Sequence, residues 1–80
     1  MKAVVLIRPK DGILDPQGEA VRQSLRKLGF DVANARVGRV VDLELADGDP
    51  RDATRALERM CEELLANPLI ESFEISIEDE

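Results

Sequence analysis

The chain has 80 residues and a formal net charge of −6, with 44% hydrophobic and 35% charged residues. A chain of this length forms one domain, here residues 1–80, and this composition is typical of a folded globular protein rather than a disordered one. The acidic charge argues against a nucleic acid as the main partner, and the lack of histidine removes the usual general base and the commonest transition-metal ligand.

Cysteine usage and hydropathy predict the compartment. The single Cys61 cannot form an internal disulfide, and a lone thiol suits a reducing interior. No apolar run approaches the roughly 18 residues that span a membrane, and the N-terminus lacks a signal-peptide pattern. We therefore expect a cytoplasmic protein with no membrane partner.

The first half of the chain predicts a strand and then a helix. Residues 2–8 form a short, continuously apolar run rich in β-branched side chains, which is typical of a strand covered on both faces, and Pro9 ends it. Asp15 is placed as a helix N-cap and Pro16 as the first helical residue, where its missing N–H is no loss. The helix is expected to run to Leu28.

The end of this first helix is well specified. Gly29 is expected as the left-handed terminator, and Phe30 can fold back onto the helix as in a Schellman motif. The apolar stripe of the helix is narrower than usual, with Ala20, Val21, Leu25 and Leu28.

Residues 32–45 are predicted to be extended, with Gly38 near the middle. The segment is either a hairpin that turns near Gly38 or one long strand kinked by a bulge there. In its later part Val41, Leu43 and Leu45 alternate with acidic residues, which predicts one buried face. Residues 46–48 are predicted to form the next turn.

The second helix has the clearest periodicity in the chain. It is expected over residues 50–66, after the Asp49-Pro50 start, and Asn67 and Pro68 are expected to end it with a left-handed cap. Its stripe at helical spacing contains Ala53, Ala56, Leu57, Met60, Cys61, Leu64 and Leu65. A cysteine within such a stripe is usually a small core residue rather than a nucleophile.

Residues 69–77 are predicted to form a closing strand with alternating faces, followed by an acidic tail, residues 78–80. The element order is β-α-β-β-α-β, or β-α-β-α-β if the middle strand is unbroken. Either order predicts a ferredoxin-like α+β fold, an antiparallel sheet with two helices on one face. Such helices leave Val4 and Leu6 of the first strand uncovered, which predicts a homo-oligomer that associates through the sheet.

The loop after the first strand is unusual, because Ile13 and Leu14 stand among turn residues. Two large aliphatic side chains in a connection must pack on the core or on another chain. Nearby cations are expected to converge at this end of the sheet: Arg8, Lys10, Arg36 and Arg39. They suit a protein interface better than a phosphate site, because no glycine-rich cradle opens either helix. Asp47, Asp49 and Asp52 lack the ligand pattern of a calcium loop, so no metal site is predicted.

Three stretches carry specific motifs: the loop at residues 9–18 (PKDGILDPQG), the middle segment at residues 36–39 (RVGR), and the second-helix exit at residues 60–71 (MCEELLANPLIE). They resemble the PurS family, the small subunits of phosphoribosylformylglycinamidine synthase. The similarity is collinear over nearly the whole chain, so it is more specific than any single motif.

The resemblance implies a non-catalytic subunit that forms a dimer or tetramer. It bridges a glutaminase subunit and a large ATP-dependent subunit, which use glutamine, ATP and Mg to convert FGAR into FGAM in de novo purine (IMP) biosynthesis. No cofactor, metal or catalytic residue is then expected in this chain. The residues expected to contact partners are Pro9, Lys10, Gly12, Leu14, Asp15, Pro16, Gly18, Arg36 and Arg39.

The fold alone leaves another function open. A dimeric ferredoxin-like sheet can also be a regulatory module that binds a small molecule, such as an amino acid, at its subunit interface. A saturable thermal shift with one ligand would indicate that class.

Overall fold

The computed structural model describes residues 1–46 and 48–78. Strand β1 spans Lys2–Pro9, helix α1 Pro16–Lys27, strand β2 Arg39–Glu44, helix α2 Pro50–Met60 and strand β3 Glu71–Glu78, and a π-helical turn at Cys61–Leu65 extends α2. The α+β class and the β-α-β-α-β order are confirmed, so the predicted hairpin is wrong. The middle strand is also shorter than expected, because residues 30–38 are irregular. Asp47 of the predicted turn, and residues 79–80 of the predicted tail, lie outside the described residues.

The three strands form one antiparallel sheet in the order β2-β1-β3. Val5 at the centre of β1 pairs with Val41 of β2 and with Ile75 of β3. The central position of β1 explains its continuous apolar run, because neither of its edges and neither of its faces is fully open to water.

Helix α2 covers one face of the sheet and forms the core with β1. Leu57 and Cys61 are fully buried against Ala3, Val5 and Ile7. Burial also raises the pKa of the Cys61 thiol, which keeps it protonated. The expectation that Cys61 is a core residue is therefore confirmed.

The π-helical turn changes which leucine faces the core. The Ala66 N–H donates to the Cys61 carbonyl at 2.9 Å, five residues back, so the turn is wider than an α-helical one. Leu64 is consequently 83% exposed, whereas Leu65 is half-buried and Ala66 buried. The predicted stripe is right at its buried and half-buried members, Ala53, Leu57, Cys61 and Leu65, and wrong at its exposed ones, Ala56, Met60 and Leu64.

Helix α1 ends as predicted but does not pack as predicted. The Gly29 N–H donates to Arg26 and the Phe30 N–H to Leu25, both at 3.0 Å, and Gly29 has φ +99°, which together make a Schellman motif. However, the buried core contains no side chain from α1. The prediction of two helices on one face is thus correct for α2 and wrong for α1 within this chain.

The sheet face opposite α2 is less apolar than the sequence suggested. Val4 and Leu6 are half-buried, and Val40 is 58% exposed. Their neighbours across the strands are polar or charged, including Asp42, Glu74 and Ser76. Association through this face stays a prediction, but the largest exposed aliphatic side chains lie elsewhere.

Gly38 lies where the chain enters β2. A Cβ at this position would lie 2.2 Å from the Ile7 carbonyl oxygen, so only glycine lets the two backbones approach this closely. Gly38 is therefore a close-contact residue rather than a hairpin tip. Among the described residues, no helix is long and apolar enough to cross a membrane, and no group of three or more acidic or cysteine side chains could hold a metal.

Candidate functional site

The PurS-like opening motif forms a loop at the end of the sheet where β1 stops and β3 starts. We call residues 9–18 the motif loop. The Lys10 N–H donates to the Ile70 carbonyl at 2.9 Å, and the Lys10 ammonium donates to the Pro68 carbonyl at 2.7 Å. The motif loop is therefore fastened to the segment that precedes β3, and the two form one continuous surface.

The turn in the motif loop pushes its aliphatic side chains outward. Gly12 has φ +82°, which favours glycine, and the Ile13 N–H donates to the Lys10 carbonyl at 3.2 Å to close the turn. Ile13 is then 38% exposed and Leu14 86% exposed. The sequence predicted that these side chains pack either on the core of this chain or on another chain, and the exposure of Leu14 rules out the core for that residue.

Asp15 connects the motif loop to the segment before β2. It occupies the N-cap position of α1 as predicted, but its side chain makes no capping hydrogen bond and instead accepts from the Val37 N–H at 2.9 Å. That bond, followed by the amides of Gly18 and Gln17, holds the pKa of Asp15 below its usual range. By contrast, Asp49 does cap α2, accepting from the Arg51 N–H at 2.9 Å.

Gly18 is a second connection between α1 and the segment before β2. It is the only buried residue of α1, and a Cβ added to it would lie 2.3 Å from the Ala35 carbonyl oxygen. Its identity is therefore explained by backbone contact. Pro9 and Pro16 likewise occupy structural positions, the last residue of β1 and the first of α1.

Arg36 secures the motif loop from outside. Its guanidinium forms an ion pair with Asp11 and donates to the Pro9 carbonyl at 2.7 Å. About two fifths of its side chain remains exposed, at 39%. The prediction that Arg36 contacts a partner is not excluded by these bonds, but they already explain its position.

Arg39 and Glu71 form the most enclosed ion pair of this region. Arg39 donates to Glu71 at 2.6 and 3.0 Å and to the Leu65 carbonyl at 2.5 Å, and the Glu71 side chain is only 15% exposed. Glu71 also accepts from the Asn67 N–H at 2.8 Å. Arg39 and then the Asn67 amide lower the pKa of Glu71, and Glu71 in turn raises the pKa of Arg39. This network fixes the π-helical turn to both edge strands.

The four cations predicted to converge are found at this end of the sheet, and each has an acceptor within the chain. Arg8 pairs with Glu74 at 3.3 Å, and the partners of Lys10, Arg36 and Arg39 are those given above. Arg8, Arg36 and Arg39 are paired with carboxylates, and Lys10 is held by a carbonyl, so this cluster does not make a strong anion site. The phosphate alternative is therefore weakened, and the remaining interpretation is a shaped protein-binding surface.

The segment before β3 contributes exposed apolar side chains that the sequence analysis assigned to a strand. Leu69 is 83% and Ile70 43% exposed, and both precede β3, which starts at Glu71 rather than at residue 69. Asn67 is also not left-handed, because no non-glycine residue among those described has positive φ. Instead, its side-chain oxygen accepts from the Leu69 N–H at 3.1 Å and makes a turn. The sequence did contain a signal for this exposed apolar segment, because two large aliphatic residues, Leu69 and Ile70, follow directly after the residues that end the helix.

Two open grooves flank the motif loop. One, of about 520 Å³, lies between the loop and residues 34–36, and is lined by polar and apolar side chains alike, among them Lys10, Glu19 and Leu14. The other, of about 250 Å³, is lined by Leu14, Val37 and Ile70 among others. The motif loop is thus a ridge whose apolar tip faces outward. Residues 9–18 contain no pair of a nucleophile and a general base.

Acid should weaken this end of the molecule. Asp15, Glu19 and Glu71 have lowered pKa values because of the Val37 amide, Arg22 and Arg39 respectively. Their ionised forms favour the folded state, so this contribution is complete above their ordinary pKa values and is lost as the pH falls below about 4. We expect the free energy of unfolding in urea, at fixed protein concentration, to fall between roughly pH 5 and pH 2.

Glu71→Gln isolates one of these groups. The amide keeps the size of the side chain but cannot ionise, so the variant should be less stable at neutral pH and should lose less stability on acidification. A variant that keeps the full wild-type pH dependence would show that the Arg39–Glu71 pair is not formed in solution.

The structure is that of a small α+β protein with an exposed apolar loop, and no catalytic constellation lies among the described residues. A family model described as "PurS: Phosphoribosylformylglycinamidine (FGAM) synthase" matches residues 2–79. Phosphoribosylformylglycinamidine synthase subunit PurS of Methanocaldococcus jannaschii is 35% identical over 78 residues, 96% of this chain and 94% of that protein. The chain belongs to the PurS family, and the resemblance drawn from its motifs is confirmed.

Solved structures agree with this assignment. A crystal structure of Bacillus subtilis PurS has a TM-score of 0.88 and 35% identity, covering 98% of both chains. A chain in the structure of PurLQS from Thermotoga maritima has a TM-score of 0.85 and 30% identity, covering 94% of this chain and 93% of that one.

Proposed function

We propose that this chain is the small, non-catalytic subunit of phosphoribosylformylglycinamidine synthase. In that role it bridges the glutaminase and the large ATP-dependent subunits during de novo purine biosynthesis. The observation that carries the proposal is similarity along nearly the whole chain to a protein solved within a PurLQS assembly. The exposed motif loop supplies a surface that suits such a role.

The catalytic work is assigned to the partner subunits. The chain contains no histidine, and its single thiol, Cys61, is fully buried with a raised pKa. A buried, protonated thiol is a poor nucleophile. ATP, Mg and glutamine would therefore be bound by the large subunit and the glutaminase, and this chain would act by holding them together in the cytoplasm, without nucleic acid or membrane partners.

Self-association is part of the proposal. The Cα radius of gyration is 15.9 Å, whereas a compact 80-residue domain has a value of about 12 Å. Among the described residues only six hydrophobic ones are buried in the core, and an extended chain with so small a core is poorly stabilised alone. A dimer or tetramer supplies the missing burial.

The motif loop is proposed as a contact with a synthase subunit. Leu14 at its tip is the most exposed large aliphatic side chain of the molecule, at 86%, and Pro9, Lys10, Gly12 and Asp15 hold the loop in shape. A rigid loop loses little conformational entropy on binding, so most of the energy of burying Leu14 is retained.

Reconstitution tests the function directly. The chain is mixed with the glutaminase and ATP-dependent subunits from the same cell, and glutamine-dependent FGAM formation is assayed with and without it. Loss of activity on omission is the expected result. Unchanged activity without this chain would contradict the proposal.

Leu14→Asp tests the motif loop. Since Leu14 is 86% exposed and outside the core, we expect unchanged far-UV circular dichroism but roughly thirty-fold weaker association with the synthase subunits, the effect of losing a hot-spot residue. Gln23→Asp, an equal charge change on an exposed side of α1, is the matched control and should bind normally. Lost helicity in Leu14→Asp would instead make Leu14 a folding residue.

A further inference from the structure

The outer side of α2, which points away from the sheet, has a row of three exposed arginines at four-residue spacing. They are Arg51, Arg55 and Arg59, and we call them the arginine row. Arg55 and Arg59 stand nearly opposite the buried Leu57 on the helix. The three are the only basic residues of the stretch 42–80, which contains thirteen acidic ones. Solubility alone does not require these charges to lie on one face of one helix.

The arginine row is poorly neutralised within the chain. Arg59 pairs with Glu63 at 3.2 Å. The guanidinium groups of Arg51 and Arg55 have no hydrogen-bond or ion-pair partner in the part of the chain that the structure describes. Acidic residues stand three positions before and after Arg55, a spacing at which ion pairs form on helices, yet neither of them bonds to it. Two of the three cations are therefore left for an external partner.

The row also lowers the stability of the free helix. Like charges four residues apart on a helix repel each other. Arg51 lies in the first turn of α2, where the positive end of the helix dipole disfavours a cation. Departures from the local rules of stability are expected at functional sites, and carboxylates supplied by a partner would relieve both effects.

An apolar row lies beside the arginine row. Ala56, Met60 and Leu64 are also four residues apart and exposed, Met60 to 37% and Leu64 to 83%. Ala56 stands three residues before Arg59, so the two rows are neighbours on the surface of the helix. Arginine and methionine are both enriched in protein interfaces, and an apolar strip with a charged border is the usual anatomy of such a contact.

We propose that the arginine row and the apolar row beside it form a second docking surface, which binds a carboxylate-rimmed apolar groove on the glutaminase subunit. The inference rests on the proposed bridging function, because a chain that holds two different subunits needs two surfaces and the motif loop is only one. Helix α2 runs toward the motif-loop end of the sheet, where the Leu65 carbonyl accepts from Arg39. Arg51 lies roughly 20 Å from Leu65 along the helix, which leaves room for a different subunit.

Charge favours the glutaminase over the large subunit. The large subunit acts on ATP and on FGAR, a ribonucleotide, so basic side chains are expected around its phosphate-bearing substrates and would repel the arginine row. Glutamine has no net charge near neutral pH, so the glutaminase has no such requirement and can present carboxylates. A nucleic acid also supplies anions, but the acidic residues that surround the row in the stretch 42–80 would repel it.

Assembly of the complete synthase tests the proposal. Arg55→Glu is compared with wild type and with Arg26→Glu, the same charge change at an exposed arginine of α1. FGAM formation is measured while the glutaminase and, separately, the large subunit are titrated. For Arg55→Glu we expect the half-saturating glutaminase concentration to rise about ten-fold or more, and that of the large subunit to stay unchanged. Arg26→Glu should match wild type in both titrations.

Arg55→Glu also separates binding from folding. A glutamate at this position stands four residues from Arg51 and from Arg59, so it should leave the helix unchanged or stabilise it. Weaker assembly together with an unchanged or raised free energy of unfolding in urea is a result that a structural role of Arg55 would not give. A less stable Arg55→Glu would show that contacts within the chain hold this arginine, and would overturn the proposal.

Photo-cross-linking in the complete mixture identifies the partner independently. Met60→p-benzoylphenylalanine should cross-link to the glutaminase, and the same substitution at Gln23, on the polar side of α1, should link to neither synthase subunit. A cross-link from position 60 to the large subunit or to a second copy of this chain, or none at all, would overturn the proposal.

Failure of this docking surface and failure of the bridging role give different results. FGAM formation that depends on the chain but not on Arg55 would remove the docking surface on α2 and leave the bridging role intact. FGAM formation that does not depend on the chain would contradict the bridging role and the docking surface together.

Discussion

Gly18→Ala should destabilise the protein by about 2–4 kcal/mol, although the substitution introduces the best helix former into a helix. Helix propensity alone predicts stabilisation by up to about 1 kcal/mol at such a position. The new Cβ, however, would lie 2.3 Å from the Ala35 carbonyl oxygen and 2.5 Å from the Asp15 carboxylate, and real Cβ atoms do not approach closer than 3.0 Å. The irregular segment before β2 would have to move away from α1, and the Asp15–Val37 hydrogen bond would break with it.

Helix propensity and the close contact change the free energy of unfolding in opposite directions, so the sign of the measured change distinguishes them. Urea unfolding of Gly18→Ala is compared with that of wild type at the same protein concentration, and Ser24→Ala, at an exposed site of α1, reports the propensity effect alone. We expect Ser24→Ala to be neutral or slightly stabilising. If Gly18→Ala were also stabilising, the close contact between Gly18 and Ala35 would not exist in solution.

Much of the fold could be predicted because the signals are local. The apolar run of β1, the Asp-Pro starts of both helices and the Gly29 terminator depend on residues adjacent in sequence, and each of these features lies within a few residues of its expected position. Phe30 even makes the Schellman hydrogen bond to Leu25. These features need no knowledge of distant parts of the chain.

The position of α1 could not be predicted, because its stripe only indicates that it packs on something. The expectation assumed that the covering surface belongs to the same chain, as in a monomeric ferredoxin-like domain. The backbone contact at Gly18 and the hydrogen bond at Asp15 hold α1 against the irregular segment before β2 instead. Both are long-range contacts that no local pattern reveals.

The candidate site was predicted in part for a similar reason. The exposed aliphatic tip at Leu14 follows from the sequence, since an aliphatic side chain in a loop stands out. That Arg36 and Arg39 bind Asp11 and Glu71 in the same chain does not follow, because a pairing across 25 or 32 residues depends on the fold. Residues chosen as partner contacts therefore include several whose first role is to shape the loop.

Leu57→Ala and Leu64→Ala should differ strongly, although the residues stand seven apart on one predicted stripe. Leu57 is fully buried and Leu64 is 83% exposed, because the π-helical turn lies between α2 and β3. Removing a buried leucine side chain costs about 2–5 kcal/mol, a large share of the total stability of roughly 5–15 kcal/mol of a small domain. Removing an exposed one usually changes stability by about 0.5 kcal/mol or less.

Unfolding at several protein concentrations completes the comparison. Stability that is lost because a side chain is removed from the core of the single chain is lost at every protein concentration. Removing a side chain from a contact between subunits instead alters how stability depends on protein concentration. Leu57→Ala should show the first behaviour, and any effect of Leu64→Ala should be of the second kind. Equal, concentration-independent losses in the two variants would mean that Leu64 faces the core, and that α2 continues as a regular α-helix through residue 65.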